Sequence, residues 1–261
     1  MSVTPDPRNL VRRQFGAHAQ NYVTSPDHSK SESLDRLLSV VQPQADWRVL
    51  DVATGGGHTA RALAPQVREV VATDLTAEML AAAERFIRGQ GLENVSFREA
   101  DATSLPFANG EFDLVTCRIA PHHFPDCARF VQEAARVLRP GGVAAVIDNI
   151  VPADLLAARH INAIETLRDP SHVWAYTQAD WLDFFAGAAL AVTHQEVFRK
   201  ARDFDFWTGM MSVDEKTKDQ LRVLILQAPT PALAALTPEA SGARLKLYLT
   251  EVFLVGRRGE Q

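Results

Sequence analysis

Val49-Leu50-Asp51-Val52-Ala53-Thr54-Gly55-Gly56-Gly57 decides the fold of this 261-residue chain. An apolar strand that enters a glycine-rich turn and then a helix opens an α/β sheet edge to a nucleotide-bearing ligand, because small residues let ligand and backbone approach closely. A glycine turn alone is not specific, since many α/β proteins use one only to pack a strand against a helix. Here Gly55, Gly57 and Ala60 satisfy the dinucleotide pattern, which permits alanine at its third position. Asp51 argues against that ligand. A carboxylate in the strand just before the loop repels pyrophosphate and attracts a cationic amino group. S-adenosylmethionine has such a group and no phosphate.

Working outward, Val70 to Leu75 reads as a second strand whose terminal Asp74 is placed to accept hydrogen bonds from ribose hydroxyls. A strand-end Asp is often only a helix cap, and Thr76 competes for that role. Val95 to Ala102 reads as a third strand ending in Asp101-Ala102. Pro106 and Asn109-Gly110 supply turn chemistry before a fourth strand, Phe112 to Ala120. Phe130 to Leu138 has helical spacing, Arg139-Pro140-Gly141-Gly142 ends that helix, and Val143 to Ile150 is a fifth strand.

These ordered motifs over Trp47 to Ile150 resemble class I S-adenosylmethionine-dependent methyltransferases, and the string RVLRPGG resembles their small-molecule branch. Ala53 stands where that family's first glycine usually falls. The resemblance implies a Rossmann-like, doubly wound, mostly parallel α/β sheet of seven strands with strand seven antiparallel. It implies S-adenosyl-L-methionine as cofactor, held by Asp51, Ala53, Thr54, Gly55 and Gly57 of the loop and by Asp74. Leu75, Met79, Asp101 and Ala102 are then expected around the adenine, with Arg118 offering backbone atoms to the methionine portion.

Before Trp47 the chain reads as mostly helical. Phe15, Ala19 and Tyr22 share a helical face. Their spacing resembles the N-terminal lid of ubiquinone and menaquinone C-methyltransferases, which places Tyr22 over the cofactor and Phe15 toward the acceptor; an aromatic stripe of this kind also suits a plain core. After strand five, Asp154–Arg168 and Gln178–Phe185 read as helices and Leu190–Arg199 as strand six. Strand seven appears only at Leu245–Val255, so about 203–241 forms a helical insertion. Insertions at that edge cap active sites. Trp207 and Met210, with Phe204, Phe206 and Met211, are its candidate acceptor wall. The expected organisation is a single methyltransferase domain: lid 1–46, cofactor core 47–150 and substrate-side half 151–261.

The apolar fraction of 46% and charged fraction of 23% are ordinary for a globular protein. A net charge of −5 without a basic block argues against a nucleic-acid partner. No stretch resembles a signal peptide or a bilayer span, so a cytoplasmic monomer or homodimer acting on a small-molecule acceptor is expected. Cys117 and Cys127 fit neither a disulfide framework nor a metal site, and no metal is expected.

Methyl transfer from a sulfonium needs a positioned nucleophile and exclusion of water. A base is required only when the nucleophile arrives protonated. His122 and His123, just past strand four, are the candidates for that base, and His123 is the better of the two. The leading reading is methylation of a small, partly apolar molecule on carbon, oxygen or nitrogen. Two others stay open on sequence: a non-catalytic S-adenosylmethionine-binding sensor or partner subunit, and an NAD(P)-dependent oxidoreductase.

Overall fold

The computed structural model describes residues 6–24, 32–242 and 244–260. Its central sheet runs β3-β2-β1-β4-β5-β9-β7. The strands on this path are β1 (Arg48–Val52), β2 (Glu69–Asp74), β3 (Val95–Glu99), β4 (Phe112–Arg118), β5 (Leu138–Val151), β7 (Leu190–Asp203) and β9 (Arg244–Arg258). The first five are parallel, and β9 is antiparallel to both β5 and β7. Two short strands lie off the path: β6 (Tyr176–Thr177) beside β5 and β8 (Glu239–Ser241) beside β9. The seven-strand path is the one expected from the sequence.

The parallel strands are apolar at nearly every position because helices cover both faces. Alternate residues part between two cores. Leu50, Val52, Val115, Cys117 and Val146 face α5 (Cys127–Val137) and α7 (Gln178–Gly187), where Phe130, Trp181 and Phe185 are fully buried. Val49, Val70, Leu114, Ala145 and Ile147 face α2 (Glu32–Val41), α3 (His58–Leu63) and α4 (Ala77–Arg88). Both cysteines are buried as small apolar groups, and burial raises both thiol pKa values far above their usual range. No helix among the described residues is long and apolar enough to cross a membrane.

Residues 203–241 carry α8 (Phe204–Gly209), α9 (Glu215–Leu226) and α10 (Thr230–Leu236). With α6 (Leu155–Arg168) they form a third core over the far ends of β5 and β9, built on Val151, Phe204, Leu221, Ile225, Leu245 and Leu247. Asp154, Asp203 and Asp214 cap three of these helices by accepting the backbone N–H three residues on.

The two largest boundary differences from the sequence reading are in β5 and β7. Strand β5 begins at Leu138, because Leu138 already pairs with Phe112 of β4; the chain then turns through Gly141, at φ 72°, and pairing resumes at Val143 opposite Leu114. A Cβ on Gly142 would lie 2.8 Å from the Arg139 carbonyl oxygen, which is why glycine sits in that irregularity. Strand β7 continues to Asp203, since β9 is long enough to pair with it over its whole length.

Candidate active site

Strand order reverses between β1 and β4, and α/β sheets open a crevice at the carboxyl ends of the strands at such a point. A cleft of about 900 Å³ lies there. Its floor is the loop after β1. Ala53 and Gly55 both take the left-handed conformation, at φ 53° and 54°. A Cβ on Gly55 would meet nothing within 4 Å, so glycine there eases the turn and keeps the wall low. Gly57, at φ 82°, lies outside the wall. A Cβ on it would come within 2.9 Å of Ile87 Cδ1 and 3.0 Å of Ala83 Cβ. Its task is to bring the start of α3 against α4.

Gly57→Ala is therefore expected to cost about 2 kcal/mol of stability, from the left-handed backbone and the crowding together. Gly55→Ala is expected to cost less, because only the backbone term applies. Urea denaturation of the two variants side by side checks the order.

Asp74 is buried at the end of β2. Its Oδ2 accepts the Gly55 N–H and its Oδ1 the Thr76 N–H, each at 3.0 Å. Thr76 is the residue at the cap position of α4, with no side-chain capping bond, so Asp74 ties loop to helix and keeps lone pairs toward the cleft. Burial raises its pKa to about 6.

Asp51 lies elsewhere than the sequence reading placed it. It is 1% exposed and stands behind the loop, outside the cleft wall. Its Oδ2 accepts the Thr54 hydroxyl at 2.6 Å and its Oδ1 the Thr116 hydroxyl at 2.7 Å. Burial pushes its pKa up against those bonds and the charge of Arg118. Thr54 itself is on the wall, as are Leu75, Met79, Ala102 and Arg118. The Arg118 Nε donates to the buried Thr59 hydroxyl at 3.2 Å.

The helix α1 (Pro7–Thr24) closes over this cleft and packs on Met79 and Ala82 of α4 through Phe15 and Val23. Arg8 Nε donates to Asp101 Oδ2 at 2.6 Å, while Asp101 Oδ1 accepts the N–H and hydroxyl of Thr103. Burial opposes it, but those Thr103 bonds and Arg8 hold the Asp101 carboxyl below its usual range. Sequence reading found Phe15 and missed Arg8 and Val11, which share its helical face and the cleft wall. The side chains of Ala19 and Tyr22 lie outside the described residues.

A second cavity of about 610 Å³ meets the first at Phe15, Ile119 and His123. Of the five residues suggested for the acceptor wall, Phe206, Trp207, Met210 and Met211 line it together with Leu249, whereas Phe204 is buried in the third core. Ile119 is β-branched yet takes φ 55°, a strained conformation that turns the chain out of β4 at the junction of the cavities.

The two histidines divide their tasks. His122 lies against the second cavity, and its Nδ1 is 2.6 Å from Asp148 Oδ1 in a buried pair. Burial presses its pKa down, but the Asp148 charge and hydrogen bond outweigh that and raise it above 6.5. His123 borders both cavities. Its Nδ1 lies 3.0 Å from the Ser171 carbonyl oxygen, which only accepts, so Nδ1 carries the proton and Nε2 the lone pair. Burial, then the neighbouring His122 charge, push its pKa down to about 4. Phe15 stacks edge-on against it with ring centroids 5.0 Å apart.

Between them the two cavities provide a nucleotide-sized cleft with strand-end carboxylates and an adjoining apolar pocket. The methyltransferase-domain family matches residues 50–146. The uncharacterized methyltransferase YcgJ of Bacillus subtilis is 36% identical over 193 residues, which cover 74% of this chain and 76% of YcgJ. The crystal structure of YcgJ superposes with a TM-score of 0.84 at 31% identity, covering 88% of this chain and 99% of that one. A demethylmenaquinone methyltransferase of Thermus thermophilus is 41% identical over 115 residues, 43% of this chain and 52% of the relative. The chain belongs to the S-adenosylmethionine-dependent methyltransferase family. It is a methyltransferase with S-adenosylmethionine as cofactor, which sets the nicotinamide reading aside.

Proposed function

We propose that the protein methylates a small, partly apolar molecule held in the second cavity. The observation that carries this reading is the junction of that cavity with the cofactor cleft at Phe15, Ile119 and His123. A pocket of that size walled by Trp207, Met210 and Phe206 suits a small organic acceptor rather than a folded macromolecule.

The residues present fit the cofactor. Gly55 leaves an open cradle beside Asp74, whose spare lone pairs accept from the ribose hydroxyls. Leu75, Met79 and Ala102 flank the adenine, Asp101 accepts from its amino group, and Arg118 faces the methionine carboxylate. Asp51 acts from behind the wall by fixing Thr54 and setting the local charge. When bound, S-adenosylmethionine supplies a methyl group on a positively charged sulfur. Phe15 and α1 cover the reacting region and exclude water, and His123 Nε2 receives the acceptor's proton. His122, locked to Asp148, positions the His123 loop. In this reading α1 serves as the lid and 203–241 as the acceptor wall of one domain.

Asp74→Ala is expected to weaken S-adenosylhomocysteine binding about tenfold or more, since hydrogen bonds to charged groups contribute roughly 1.5–3 kcal/mol each. In the unvaried protein the affinity is expected to hold above pH 7 and fall as pH drops through about 6, where protonation discharges Asp74. The sign follows because the bound state needs the carboxylate. Calorimetry across pH 5 to 8 checks both, and a flat profile removes Asp74 from the ribose site. A screen of small molecules for S-adenosylhomocysteine release tests the acceptor class. Turnover of nucleic acid or protein with no small-molecule acceptor would sink the reading.

A further inference from the structure

We propose that the second cavity selects a neutral hydroxyl compound, an alcohol or phenol on an apolar body, whose O–H points at Asp169 Oδ2 and His123 Nε2. This rests on the methyl-transfer reading above and names the acceptor class.

The polar wall of the cavity offers acceptors. Asp169 is 1% exposed, and its Oδ1 takes both the backbone N–H and the hydroxyl of Ser171, at 2.9 and 2.6 Å. Among the described residues its Oδ2 has no hydrogen-bond donor, nor has the buried Oδ1 of Asn149. Both residues line the cavity. His123 Nε2 lies 3.9 Å from Asp169 Oδ2, beyond hydrogen-bond reach. With Nδ1 committed to Ser171, that nitrogen also presents a lone pair. Leaving a buried acceptor unmatched is unfavourable by about 1–3 kcal/mol, so a ligand that brings a donor is favoured here.

Charge selects among such ligands. The two guanidiniums in the wall are each ion-paired: Arg168 reaches Glu165 Oε2 at 3.1 Å and the Trp207 carbonyl oxygen at 3.1 Å, and Arg202 reaches the fully buried Glu251 at 3.1 Å. Adding Asp169, three carboxylates meet two guanidiniums, while His122 and Asp148 cancel each other. An anionic head is therefore repelled. An alkylamine arrives as an ammonium ion of pKa about 10; the excess carboxylate charge draws it in, but an ammonium has no lone pair with which to take the methyl group, and His123, whose pKa burial lowers, does not strip its proton. A hydroxyl differs. Its oxygen uses a lone pair to form the O–C bond as the methyl–sulfur pair stays with sulfur, and the O–H proton, made strongly acidic by that bond, passes to His123 Nε2. Trp207, Phe206 and Met210 hold the apolar remainder.

The test is calorimetry on the full chain with S-adenosylhomocysteine present, using 4-propylphenol, 4-propylanisole, 3-phenylpropanoate and 3-phenylpropylamine. The phenol is expected to bind at least tenfold more tightly than the anisole and the propanoate, while the amine is expected to bind but to take no methyl group from S-adenosylmethionine. In Asp169→Asn, Oδ1 can still accept from Ser171 while an N–H replaces the free oxygen, so the phenol's advantage over the anisole is expected to vanish or invert. Tighter binding of the propanoate, equal binding of the phenol and the anisole, methylation of the amine, or no binding by any of the four overturns the proposal. The same panel on the unvaried protein decides if the variant fails to fold. Failure of S-adenosylhomocysteine itself to bind, with the phenol preference intact, would instead sink the methyl-transfer reading and leave the cavity's selectivity standing. Methyl label recovered on ring carbon would also overturn the proposal.

Discussion

Asp148→Ala is expected to destabilise the fold by about 3–5 kcal/mol, because it leaves the His122 imidazolium buried without its counter-charge. The pair is 2.6 Å apart, and Asp148 is 1% exposed, so water does not replace the lost carboxylate. The same pair makes stability depend on pH. The folded pKa of His122 is raised above 6.5, so its contribution is fully present below 6.5 and is lost as pH rises through the folded value. Urea denaturation from pH 6.5 to 8.5 is expected to show that decline. Three of the other shifted groups act below this window. His123 and His172, lowered to about 4 and about 2, and Asp74, raised to about 6, change protonation below it. Asp148→Asn should abolish the slope above pH 6.5. A slope that persists in that variant would assign the titration to another group.

The cofactor side of this molecule was legible because its chemistry is local in sequence. A strand, a glycine turn and a strand-end acid are read from spacing alone, and Ala53, Thr54, Gly55, Asp74, Leu75, Met79, Asp101, Ala102 and Arg118 all border the cleft. Asp51 shows the limit of that reading. Residues in one strand alternate between faces, and pairing with Thr54 and Thr116 turns its carboxylate away from the cleft. Gly57 shows another, since a glycine needed for helix packing and one needed for ligand approach look alike in sequence.

Arg8 and the acceptor cavity were illegible for a different reason. The Arg8–Asp101 contact spans 93 positions, and nothing local to either residue announces it. Asp169, Arg202 and Asn149 come from the end of α6, from β7 and from β5, and converge only when β9 pairs with both β5 and β7. The helical insertion was visible from its length and prolines. Its Trp207 and Met210 could be proposed as wall residues, but the polar side of the same cavity needed the fold.

His123→Ala is expected to lower the rate of methyl transfer by roughly 10²-fold or more with little change in S-adenosylhomocysteine affinity, provided that His123 takes the acceptor's proton. The direction of proton flow is fixed by the ring. Nδ1 is held by the Ser171 carbonyl oxygen, so Nε2 is the basic atom, and a pKa of about 4 keeps it unprotonated throughout pH 5.5 to 8. The timing is fixed by the same value. Burial holds the His123 pKa well below that of a phenol, so proton transfer accompanies O–C bond formation instead of preceding it. With S-adenosylmethionine saturating, so that the protonation of Asp74 near pH 6 does not limit binding, the rate in the unvaried enzyme should therefore be nearly flat across pH 5.5 to 8. The deficit in His123→Ala should shrink as pH approaches the acceptor's own pKa, because an ionised oxygen needs no base. Loss of the Phe15 contact alone would lower the rate equally at every pH, so the pH profile separates proton transfer from packing. A variant with a near-normal rate at every pH would make His123 a structural residue and leave positioning and desolvation to account for the catalysis.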